Sequence, residues 1–393
     1  MKIAVINTYD SKDIKVWAGI PYHLSLMLED TFGKDSVRYI TLPYKRDKLS
    51  YLRGFYFNRL LGKKYLSWTD KSIIAKNSED NKELLNEHYD LIITFEFFLV
   101  PLLKKRDNKV IYWNDATFKN LVNFYPYVTN VSSYSLRHGN EVQKTAFALS
   151  DAIVFTSDWA INSAIKDYNT DPRKLNKIYF ASNLSRGGSD AEVKESVEAR
   201  TGEVIKLLFL ALNWERKGGD DAVELVEKLN KAGKRTLLYL VGDEVPERFR
   251  HNKNIISFGF INKNESGGEK RLIDLLKECS YLLLPTKADC TPVAFSEANS
   301  FGLPVISTNI GGIPSVVTAL NGFTSKGKFT EEAFNFITEN LPGTLSYQQL
   351  CYSSHKFYKD ELSWGQVYTK FRQILKDLSI LSQEEAFVEE VKN

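Results

Sequence analysis

ADCTPVAFSEANSFGLPVISTNIGGIP, residues 288–314, is the stretch from which the fold can be read. It follows the apolar run YLLLPT (281–286) and contains a second such run, PVISTN (304–309), with a helix-type segment between them. Two β-type runs joined by a helix are the unit of a parallel sheet with crossover helices. Thr291 and Pro292 stand where that helix should begin, as N-cap and first helical residue, and Gly302 stands near its end. Proline has no N–H, so Val293 and Ala294 present the first free amides. Those donors and the positive end of the helix dipole point outward together, which suits an anion. Asp289 precedes the helix, and Glu297 lies four residues beyond Val293, on the same face. A diphosphate at the helix start would place Glu297 near a ribose and Asp289 near the group on the far phosphate.

The same alternation extends in both directions. Strands are expected at KIAVINT, SVRYITLP, LIITF, KVIYWN, AIVFTS and KIYFASN in the first half, and at KLLFLAL, TLLYLVG, IISFGF, YLLLPT and PVISTN in the second. With 393 residues the chain exceeds what one core accommodates, roughly 250–300 residues. The expectation is an α/β protein of two doubly wound, Rossmann-like parallel-sheet domains facing a cleft. The first spans 1–183 and the second 204–362. Residues 184–203, polar and glycine-containing, read as a linker. A helix over 363–381 is expected to cross back to the first domain, and the acidic stretch 382–393 reads as a tail.

Composition narrows the partners. A net charge of +3 is too small for a nucleic-acid polyanion. Cys279, Cys290 and Cys351 have neither metal-ligand nor redox spacing and read as free thiols of a reducing compartment. The N-terminus runs straight into a strand without a secretory pattern, and no apolar run approaches the roughly 20 residues of a membrane span. A cytoplasmic location is expected, with one qualification: in residues 44–71, YKRDKLSYLRGFYFNRLLGKKYLSWTDK, basic and aromatic residues interleave. That pattern fits an anionic membrane surface or a lipid-linked acceptor as well as it fits a solvated helix.

Two further elements carry chemistry. LALNWERKGGDDAVELVEKL places Arg216 and Lys217 between a strand and a helix, so two cations at the sheet edge can neutralise a departing diphosphate without a metal. Gly19, in VWAGIPYHLSLMLED after the first strand, supplies a turn at which backbone can approach a ligand closely. Asp220 and Asp221 resemble a metal pair only superficially, because acids in a first helical turn are favoured by its dipole. No G-x-G-x-x-G follows the first strand, which disfavours a dehydrogenase.

The run from Asn213 to Leu225, together with YLLLPTKADCTPVAFSEANSFGLPVISTNIGGIPSVV, resembles the donor domain of retaining family-4 glycosyltransferases of the GT-B fold. ALSDAIVFTSDWAINSAIKDYNTDPRKLNKIYFASN is similar to the end of their first domain. The resemblance implies Glu297 on the ribose hydroxyls, Asp289 on the donor sugar, Lys217 and Arg216 on the diphosphate, the amides of Val293 and Ala294 on its distal phosphate, and Gly19 in the glycine loop. It implies no cofactor or metal, a nucleoside-diphosphate-sugar donor, and a saccharide or lipid-linked acceptor in cell-surface polysaccharide or glycolipid assembly. The chain departs from the family in four places. Asp289 replaces the usual glutamate, and Pro292 a frequent glycine. Ala211 and Leu212 occupy the usual arginine spacing. YWNDATF stands where a first-domain histidine is common, which brings in Asp115 as the residue taking its place. A sugar-nucleotide epimerase of the same architecture, or a non-catalytic nucleotide-binding scaffold, fits the same motifs.

Overall fold

The computed structural model describes residues 1–381, and the expected tail 382–393 lies outside the described residues. The chain divides into two compact units. One comprises Met1–Ile178 and the described chain from Tyr368 on; the other is Tyr179–Val367.

The first unit is built on six parallel strands: β1 (Ile3–Asn7), β2 (Val37–Thr41), β3 (Leu91–Thr94), β4 (Lys109–Asn114), β5 (Ala152–Phe155) and β6 (Leu175–Lys177). They lie in the order β2-β1-β3-β4-β5-β6. The strands β1, β3 and β5 are buried at every position. Burial on both faces makes a strand read as a continuous apolar run, which is why these segments were legible. Phe371, on the helix Trp364–Asp377, packs on Trp113 of β4 with ring centroids 5.5 Å apart and the planes tilted by 30°.

The second unit repeats the plan with β7 (Ile205–Ala211), β8 (Thr236–Gly242), β9 (Ile255–Ser257), β10 (Tyr281–Leu284), β11 (Val305–Thr308) and β12 (Gly322–Ser325). These six parallel strands lie in the order β12-β11-β10-β7-β8-β9. Strand β10 is buried throughout. Both units are therefore the doubly wound sheets expected of the GT-B fold.

Three details differ from the sequence reading. The strand expected at 177–183 is instead β6, ending at Lys177; Ile178 donates one last bond to Phe155 at 2.9 Å and the chain then leaves the sheet. Strand β12, sequence GFTS, was not anticipated, since it is short, partly polar and begins with glycine. The stretch read as a linker contains the helix Asp190–Ala199, opened by a reciprocal Ser189–Glu192 capping box. Val193 and Val197, four residues apart, are buried in the core of the second unit.

Candidate functional site

The second sheet changes direction of winding between β7 and β10, and open α/β sheets bind ligands beyond the carboxyl ends of their strands at such a point. The chains leaving these two strands carry most of the residues singled out above. After β7, Asn213 adopts a left-handed conformation (φ 75°, ψ 81°) and its side chain accepts the Arg216 amide at 2.9 Å, starting the short helix Trp214–Lys217. Trp214 is buried and donates its amide to Asp243 at 2.6 Å and its indole N–H to Asp220 at 2.8 Å. These bonds fix the turn from which Arg216 and Lys217 project.

Gly218 ends that turn at φ 77°, and a Cβ there would stand 2.0 Å from the Pro285 carbonyl oxygen. Only glycine lets the loops after β7 and β10 pass this closely. They are then tied together, because the Arg216 carbonyl accepts the Lys287 amide at 2.7 Å and the Thr286 hydroxyl at 3.1 Å.

Asp289 faces both cations. Its carboxylate accepts hydrogen bonds from Lys217 Nζ and, at 3.3 Å, from Arg216, which also donates to the Ala288 carbonyl at 2.8 Å. The side chains of Lys217 and Asp289 are each 12% exposed, so this ion pair is shielded from water more than a surface pair would be. Two cations share one carboxylate.

The helix that follows is Val293–Asn299. Its cap position falls on Pro292, in an extended conformation, one residue later than the expected Thr291. Val293 and Ala294 are thus its first two residues, and amides in a first turn have no acceptor within the helix. Glu297, 5% exposed, is held by Lys263 at 2.6 Å. Lys263 was not singled out from sequence. It lies on the loop after β9, in INKNESGG, where neither an apolar period nor a motif marks it.

Arg216, Lys217 and Asp289 are therefore in direct contact, with Val293, Ala294 and Glu297 on the adjoining helix. Gly19 and Asp115 belong to the first unit. Gly19 (φ 86°) caps the helix Ile20–Phe32 and follows Trp17 and Ala18, which are also left-handed at φ 50° and 53°. Three consecutive residues at positive φ, two of them not glycine, mark a strained turn of the kind found at binding sites. Asp115 is the residue after β4, its amide directed at the Asn114 side chain at 2.9 Å. Asp220, bound by Trp214 and by Arg248 at 2.5 Å, serves the turn. Among the described residues no group of three or more His, Cys, Asp or Glu could hold a metal ion.

Residues 190–337 match the family model described as Glycosyl transferases group 1, a span that includes Arg216, Lys217, Lys263, Asp289, Val293, Ala294 and Glu297. Among solved structures, Anabaena Alr3699/HepE in complex with UDP and glucose is 17% identical, covering 97% of this chain and 100% of that chain, with a TM-score of 0.58. The sucrose-phosphate synthase of Thermosynechococcus elongatus is 14% identical, covering 97% and 99%, with a TM-score of 0.67. The lipopolysaccharide outer core galactosyltransferase WaaB in its apo form is 15% identical, covering 97% and 100%, with a TM-score of 0.62. In sequence, the chain is 22% identical over 313 residues to the "Uncharacterized 41.2 kDa protein in cps region" of Klebsiella pneumoniae, 76% of this chain and 82% of that protein. The architecture is the two-domain, Rossmann-like GT-B fold, and the match to the group 1 model lies within its second unit.

Proposed function

We infer that the protein is a glycosyltransferase that moves a hexose-type sugar from a nucleoside-diphosphate sugar to an acceptor hydroxyl, in the assembly of a cell-surface polysaccharide or glycolipid. The observation that carries this reading is the Arg216–Lys217–Asp289 cluster at the winding switch of the matched domain. Its two cations suit a diphosphate, which competes with Asp289 for them. Asp289, so released, can accept hydroxyl groups of the donor sugar, while Glu297 exchanges Lys263 for the ribose hydroxyls. The named relatives support the direction: one was solved with UDP and glucose, one is a lipopolysaccharide galactosyltransferase, and one is encoded in a cps region.

Transfer with retention follows if the acceptor oxygen bonds to the anomeric carbon on the face that the diphosphate leaves. The anomeric C–O bond breaks toward the phosphate, and the phosphate oxygen takes the acceptor proton. Lys217 and the amides of Val293 and Ala294 stabilise the charge that develops on the leaving group. The test is release of nucleoside diphosphate from UDP- and GDP-hexoses with and without saccharide acceptors, with the anomeric configuration of the product read by NMR. An isomerised donor in the absence of acceptor would replace this reading by an epimerase, and a donor left intact under every condition by a nucleotide-binding scaffold.

Because the positive charge comes from side chains and amides, the proposal needs no metal. Turnover should persist in excess chelator; complete loss restored only by a divalent ion would place the chemistry in another class.

The proposal extends to a peripheral membrane contact through residues 44–71. The helix Lys48–Phe55 and the turn Tyr56–Leu60 after it expose Leu49, Tyr51, Leu52, Phe55, Tyr56 and Leu60, each about half or more. Lys45, Arg46, Lys48, Arg59, Lys63 and Lys64 flank them. Apolar insertion combined with basic residues binds anionic bilayers, each basic residue near the surface contributing about 1 kcal/mol. Flotation with vesicles containing anionic lipid is expected for the native chain and much reduced for Leu52→Asp/Phe55→Asp. Equal flotation of both would remove this contact.

A further inference from the structure

The winding of the first sheet also switches, between β1 and β3, and beyond the carboxyl ends of those strands lies a cavity of about 390 Å³. Its size falls in the range of small-molecule sites, roughly 300–1,000 Å³. The walls are largely aromatic. Trp68 contacts Phe97, Phe98 and Phe118 with ring centroids 5.7, 6.2 and 5.7 Å away, so these surfaces brace one another. Thr8, just after β1, and Glu96, just after β3, supply polar groups. The Thr8 hydroxyl donates to Glu96 at 2.6 Å and the Thr8 amide donates to its other oxygen, which fixes the carboxyl group in place. Tyr44, packed on Phe98, has a buried hydroxyl with no hydrogen-bond partner.

Among the described residues no lysine, arginine or histidine lines this cavity, so it offers a phosphate no cationic side chain, and the Glu96 carboxylate repels one. A hydrocarbon chain would suit the rings but would leave the carboxyl group of Glu96 facing apolar atoms at a cost. A ring with an apolar face and hydroxyls at its rim satisfies both parts. We propose that this cavity is a binding site for a neutral sugar residue, the ring lying against Trp68, which Phe118 braces from behind, and its hydroxyls meeting Glu96. Burial pushes the Glu96 carboxyl up from the ordinary range, against the two Thr8 hydrogen bonds that pull it down, and its oxygens can accept from sugar hydroxyls. Asn114 and Ala116 of the lining flank Asp115, so the cavity adjoins the residue that the sequence marked in the first unit. Only the assignment of this sugar to the acceptor, rather than to an unrelated ligand, rests on the function proposed above.

The experiment is saturation-transfer NMR on the full chain with methyl hexopyranosides, with glucose 6-phosphate and octanol as controls. The native protein should saturate at least one neutral glycoside and neither control. Leu121→Trp, which fills the cavity from its wall, should abolish the signal, and Glu96→Leu should weaken binding about tenfold, the worth of one hydrogen bond of moderate strength. Melting curves show whether each variant is folded, and the leucine variant can fail that check without affecting the other. No signal for any glycoside, a signal that survives Leu121→Trp, or a preference for octanol would overturn the site. UDP calorimetry on the same native sample reads the nucleotide proposal separately, so the two can fail independently.

Discussion

Lys217→Ala is expected to lower the rate of sugar transfer by about 100- to 1,000-fold, the loss found when one preorganised donor to a developing negative charge is removed. The side chain is only 12% exposed and stands on a turn fixed by Asn213, by the buried Trp214 and by the Arg216 carbonyl contacts to the neighbouring loop. A charge so placed needs little reorganisation when the diphosphate departs, which is where its effect on the barrier arises. Arg216 remains in the variant and stays beside Asp289, so the turn and the nucleotide pocket should persist. Initial rates at saturating donor are the measurement. A loss below about threefold, less than 1 kcal/mol, would mean that Lys217 serves the ion pair and not the leaving group.

Arg200→Met is expected to destabilise the second unit by about 4 kcal/mol, a large part of the 5–15 kcal/mol typical of a domain. Arg200 is 4% exposed. Its guanidinium donates to the carbonyls of Leu276, Lys277 and Gly302 at 3.0, 3.1 and 3.0 Å. The first two end the helix Gly268–Glu278, and the third follows the helix Val293–Asn299 that carries Glu297. Helix carboxyl ends are negative and leave carbonyls without partners, so one buried cation satisfies several acceptors together. Methionine fills the space but leaves three buried acceptors unmet, at about 1–3 kcal/mol each and less than additively. Hydrogen exchange in β7 and β10 reports this unit directly. The exposed pair Arg186–Glu192 provides the contrast: Arg186→Ala should cost less than about 1 kcal/mol. Comparable small losses in both variants would show that Arg200 does not join these helix ends.

The legible parts of the fold were those in which local sequence and tertiary burial agree. Strand β10 reads as YLLL because both its faces are covered, and the spacing from Val293 to Glu297 gives a shared helix face without reference to anything else. The helix Asp190–Ala199 had two local signals, the capping box at Ser189 and Glu192 and the pair Val193 and Val197, but its polar remainder outweighed them. The site was legible only in part, because its pairings are long-range. Asp289 meets Lys217 across 72 positions and Glu297 meets Lys263 across 34, and no local period relates such residues. The sequence therefore pointed to groups that would suit a nucleotide sugar but not to the pairing of each acid with a lysine.

That pairing sharpens the central claim, that the two acids eight residues apart divide a nucleotide sugar between them. If Asp289 serves the sugar and shares Lys217 and Arg216 with the diphosphate, Asp289→Asn should keep or tighten the affinity for a free nucleoside diphosphate, since it removes the carboxylate that competes for those cations. If Glu297 holds the ribose, Glu297→Ala should weaken that affinity by about 2 kcal/mol, roughly 30-fold, two charge-assisted hydrogen bonds offset in part by the lost Lys263 pair. The measurement is calorimetric titration of the native chain and both variants with UDP, and with GDP if UDP gives no heat. Retained or increased affinity in Asp289→Asn beside a marked loss in Glu297→Ala is the predicted result; equal weakening in both, or an unchanged Glu297→Ala, would contradict it.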